Sequence, residues 1–140
     1  MSVKALLEEI EKERERFEYY INSPVDTNYF LNLGHLRELC IQFSDRIGIE
    51  HKALRPALSL SPSNHKLNYF MQRLDDLKIW FWVVVQLVES YEKTSRVYDL
   101  IEWGEFSFET FQSFMHKSIA VKLRKILKDI GEVKELIPTY

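Results

Sequence analysis

Apolar residues recur along the chain at intervals of three and four, the period of a helix, and nowhere alternate at two over a strand's length. Ser2 can cap a first helix reaching about Ile21, with Val3, Leu6, Leu7, Ile10, Phe17 and Ile21 on one side, before Asn22-Ser23-Pro24 stops it. Asp26 can cap a second, whose stripe of Tyr29, Leu33, Leu36, Cys40, Phe43 and Ile47 steps by four and three until Gly48 ends it. Residues 49–61 carry Pro56 and several serines and read as a connection with room for one helical turn from Ile49 to Leu54.

The third helix has the clearest period. Ser61 is its expected cap and Pro62 its first residue, and the seam runs Leu67, Phe70, Leu74, Leu77, Phe81, Val84, Val88, Tyr91. Near Glu92 to Ser95 it either breaks, leaving a short helix from about Ser95 to Trp103, or runs on to Gly104. Ser107 caps a last helix carrying Phe108, Phe111, Met115, Ile119, Leu123, Ile126 and Ile130, which Gly131 is expected to close. The pattern predicts an all-α fold: a single-domain helical bundle of four long helices plus one or two short ones. No repeat or low-complexity tract divides residues 1–140.

With 46% hydrophobic and 29% charged residues in 140, the chain has the apolar content for one core and lies far from the composition of disorder. A single cysteine, Cys40, rules out an internal disulfide and makes the reducing cytoplasm the expected location. Ile79 to Val85 is too short an apolar run to span a bilayer, and the charged N-terminal stretch lacks the apolar segment of a secretory signal, so no membrane association is expected. The net charge of −2 gives no global attraction for polyanions; such binding would need a local patch.

Catalytic and metal-binding patterns are sparse. The four glycines are isolated, which excludes a phosphate-cradling loop, and His35, His51, His65 and His116 form no His-x-x-x-His pair. His35 and Glu38 stand in the reverse of the Glu-x-x-His order that di-iron bundles use twice. Cys40 falls on an apolar stripe, where a thiol acts as a small hydrophobe. No metal, cofactor or small-molecule substrate is expected.

Arg46 and His51 are separated by four residues, and the run Arg46-Ile47-Gly48-Ile49-Glu50-His51 resembles the Arg-x4-6-His motif of HEPN ribonucleases, small all-α proteins of similar length. The resemblance implies metal-independent RNA cleavage, with histidine as acid or base and arginine on the scissile phosphate. The alternative is structural: Arg46 favours a helix C-terminus by its charge and His51 lies in the loop beyond.

Charge is segregated along the chain. Lys117, Lys122, Arg124, Lys125 and Lys128 lie off the apolar stripe of the last helix, whereas the first is rich in glutamate. Lys52, Arg55 and Lys66 would extend the basic side if the connection folds over that last helix, making a strip that follows an RNA or DNA backbone. Trp82 and Val85 face away from the seam of the third helix, so that helix is either buried all round or offers its back as a protein interface. Together these features favour a non-enzymatic binding or assembly module, a small subunit that docks on a protein partner or on itself and presents its basic C-terminal helix to nucleic-acid phosphate.

Overall fold

In a computed structural model, residues 2–97 and 107–137 are described, and they form six helices and no strand. These are α1 (Val3–Lys12), α2 (Arg14–Asn22), α3 (Thr27–Leu31), α4 (Leu33–Leu60), α5 (His65–Val97) and α6 (Phe108–Glu135). Three expected caps are in place: Ser2, Asp26 and Ser107 accept hydrogen bonds from the amides of Ala5, Tyr29 and Thr110. Each satisfies a first-turn N–H that has no intrahelical partner.

Several boundaries differ from expectation, and the reasons are physical. The first helix is split at Glu13 because Glu11 to Arg16 contains no apolar residue, so nothing anchors the stripe to the core between Ile10 and Phe17. The second does not stop at Gly48. After the single turn of α3, α4 runs through Gly48 and Pro56 to Leu60, and the expected connection is helical. A glycine costs about 1 kcal/mol inside a helix, and the buried Ile47 beside Gly48, with Leu54 against the core further on, offsets it. The cap of α5 is Asn64, whose Oδ1 accepts from the amide of Leu67, rather than Ser61. Helix α5 continues without a break to Val97; the short helix expected from Ser95 to Trp103 lies largely outside the described residues. Helix α6 passes through Gly131 because Val133, fully buried, holds another turn against the core.

Helix α5 packs along both α4 and α6, and the α1–α2 leg closes the other side by packing on α6 and α4. Helices α4 and α6 therefore stand at opposite corners of a four-legged bundle. At its centre Phe17, Phe43 and Phe81, from three legs, meet with ring centroids 5.8–6.4 Å apart. One contiguous apolar cluster takes residues from every helix.

Each of the four seams carries an ion pair between legs. Arg37 meets Glu92 at 2.6 Å between α4 and α5, and Arg46 meets Glu9 at 2.6 Å between α4 and α1. Lys134 meets Glu11 at 2.9 Å between α6 and α1, and Arg73 meets Glu132 at 2.7 Å between α5 and α6. Half-exposed pairs of this kind add little stability, but they fix which residues stand level across each seam.

Candidate nucleic-acid interface

The core-facing side of α6 is set by Met115, Ile119, Leu123, Ile126, Ile130 and Val133, all buried. By helical period this turns Lys117, Arg124 and Lys128 outward, and all three are exposed. None has a hydrogen bond or ion pair to another described residue. Phe114 and Val121, also exposed, lie on the same stripe. At 1.5 Å per residue the three cations span about 16 Å.

The other two lysines of the predicted set are differently placed. Lys122 and Lys125 lean over the Trp80 ring of α5, with Nζ 5.0 and 5.9 Å from its centroid. Lys125 also stands 3.4 Å from Asp129, which is 3% exposed and is approached from α5 by Arg73 at 3.5 Å. Asp129 Oδ1 accepts no hydrogen bond, so these two cations supply its charge compensation. Arg73 also binds Glu132, whose carboxyl is held below the ordinary carboxylate range by that hydrogen bond. Sequence reading missed Asp129, although its i+3 spacing from Ile126 already placed it on the buried stripe.

Lys52 and Arg55 are exposed, but they do not extend this strip. The segment that carries them is the helical end of α4, at the corner opposite α6, where they line a cleft with Lys78. The basic groups therefore form two separate faces.

Arg46 and His51 lie on one unbroken helix, yet five residues at 100° each set them about 140° apart around its axis. The Arg46 guanidinium donates to both carboxylate oxygens of Glu9, at 2.8 and 2.6 Å, and that bidentate bond lowers the Glu9 pKa. Within one chain the two residues are not brought onto a common site. Elsewhere, His116 Nε2 pairs with the carbonyl of Ser23 at 2.7 Å, and burial pushes the Cys40 thiol up. No group of three or more His, Cys, Asp or Glu among the described residues could hold a metal ion.

The two candidate interface residues of α5 part company. Val85 is fully buried, because α5 is packed on both flanks and its core arc is wide enough to take Val84, Val85 and Val88 together; it cannot meet a partner. Trp82 is 47% exposed, with its ring beside a cleft lined by Ser44, Asp45, Asp75, Lys78 and Ile79. No helix among the described residues is long and apolar enough to cross a membrane. No family model, curated protein or solved structure matches the chain.

Proposed function

We propose that the protein is a non-enzymatic binding module of the reducing cytoplasm that docks through the outer face of α5 around Trp82 and presents the outer face of α6 to nucleic-acid phosphate. The observation that carries this reading is a division of labour among cations. Arg37, Arg46, Arg73 and Lys134 are consumed in the seams between helices, whereas Lys117, Arg124 and Lys128 stand in line with no hydrogen bond or close ion pair to another described residue, Lys128 sensing only the charge of Glu132 one turn on. Cations that are not tied into a seam stay available to a polyanion. The exposed ring of Phe114, one turn before Lys117, is suited to stack on an unpaired base, so a single strand fits the face better than a duplex.

The test is fluorescence anisotropy with labelled single-stranded RNA and DNA oligonucleotides at low salt. Replacing Lys117, Arg124 and Lys128 by Gln should abolish binding while the helical circular dichroism spectrum stays unchanged. Binding that survives the triple replacement would remove α6 from the reading.

A further inference from the structure

The Trp82 cleft is one end of a longer exposed face. A second cleft, lined by Asp45, Gly48, Ile49, Lys52, Arg55 and Lys78, shares Asp45 and Lys78 with it, and together they run along the outer side of α4 and α5. Three large apolar side chains stand on this face: Ile49 at 66%, Ile79 at 51% and Trp82 at 47% exposure. Between them Gly48 carries no side chain, and the end of the Lys78 side chain lies over the space this leaves. A Cβ there would meet only the end of the Lys78 side chain, at 3.2 Å.

We infer that this face is a two-fold interface between two copies of the chain, with α4 packed antiparallel on α4. It names the docking partner that the functional reading above leaves open. The pattern that selects a second copy is the symmetry of the charges about Gly48 and Ile49. Asp45 lies three positions before Gly48 and Lys52 three positions after Ile49, all on one helical face. Both are exposed, and neither has an ion pair within the described chain. With the axis between Gly48 and Ile49, each Ile49 packs over the other copy's Gly48 and the Lys78 side chain that lies against it. Each Asp45 then meets the other copy's Lys52, twice over, as an isologous contact requires. The register of α4 on α5, fixed where Ser44 Oγ donates to the carbonyl of Lys78 at 3.4 Å, sets Ile79 and Trp82 on the Asp45 side of the axis. They would cover the exposed Ala53 and Pro56 of the other copy. Helix α6, at the opposite corner of each bundle, stays open.

Sedimentation equilibrium over micromolar concentrations tests this directly. Wild type should dimerise, and Ile49→Glu should be monomeric with an unchanged helical spectrum. Asp45→Lys and Lys52→Asp should each weaken the dimer at least tenfold, because each brings like charges together at both ends of the contact. An equimolar mixture of these two variants should recover a dimer of near wild-type affinity, since opposite charges then face each other at both ends. A wild type that stays monomeric, single reversals without effect, or a mixture that stays apart would each overturn the inference. The α6 variants would still report separately on phosphate binding.

Discussion

Arg46 on α4 grips both oxygens of the Glu9 carboxylate on α1, so the arginine of the motif-like spacing is built into a seam of the bundle. Arg46→Ala and Glu9→Gln should therefore each lower the melting temperature by a few degrees. In a double-mutant cycle the two losses should be less than additive, because either change alone breaks the same bond. Neither variant should alter nucleic-acid binding. Fully additive losses would mean that the pair does not act as a unit.

Val85 and Trp82 are three positions apart on α5 and should behave in opposite ways. Val85→Ala removes two buried carbons from the core and should cost about 2 kcal/mol in urea unfolding, from the lost transfer energy and the cavity left behind. Trp82→Ala cuts back a ring that is half in solvent; it should leave the unfolding midpoint nearly unchanged and weaken association. A large stability loss at Trp82, or none at Val85, would reverse the assignment of core and surface on α5.

These two residues also mark how far the sequence is legible. The helical period located every long core stripe, and the caps at Ser2, Asp26 and Ser107 are local chemistry that a sequence displays openly. What it does not display is the neighbour that outweighs a local penalty. Gly48 and Gly131 read as breakers, but the buried Ile47 beside the first and the buried Val133 beyond the second carry the helices through them. In the same way, the Glu9 partner of Arg46 lies 37 residues away. The buried width of α5 depends on having helices on both flanks, which separated Val85 from Trp82. The basic residues of α6 were visible, but the distinction between those bound over Trp80 and those left free was not.

Stability should fall at both extremes of pH, for different groups. Arg46 and Arg73 hold Glu9 and Glu132 below the ordinary carboxylate value of 4.5 by hydrogen bonding. The unfolded chain therefore binds protons first on acidification; this contribution is present above about pH 4.5 and is lost as pH falls through the lower folded values. In alkali the sign is opposite. Burial raises the Cys40 thiol from 9.0 and pushes Tyr20 up to about 12. The folded chain then keeps protons that the unfolded chain releases, so stability declines as pH rises above about 9. Urea midpoints measured from pH 3 to 11 should form a plateau between these limits. A midpoint still rising at pH 10 would contradict the burial of both groups.

The division between cations spent in the seams and cations left free on α6 is tested most directly by the salt dependence of single-stranded oligonucleotide binding. With Lys117, Arg124 and Lys128 each neutralising one phosphate, log K against log salt should have a slope of about −2, from roughly −0.7 per contact on a single strand. Replacing one of the three by Gln should reduce that slope by about 0.7, whereas Arg37→Gln, in the α4–α5 seam, should leave it unchanged. A flat salt dependence, or a slope that falls with Arg37 and not with the α6 residues, would contradict the account.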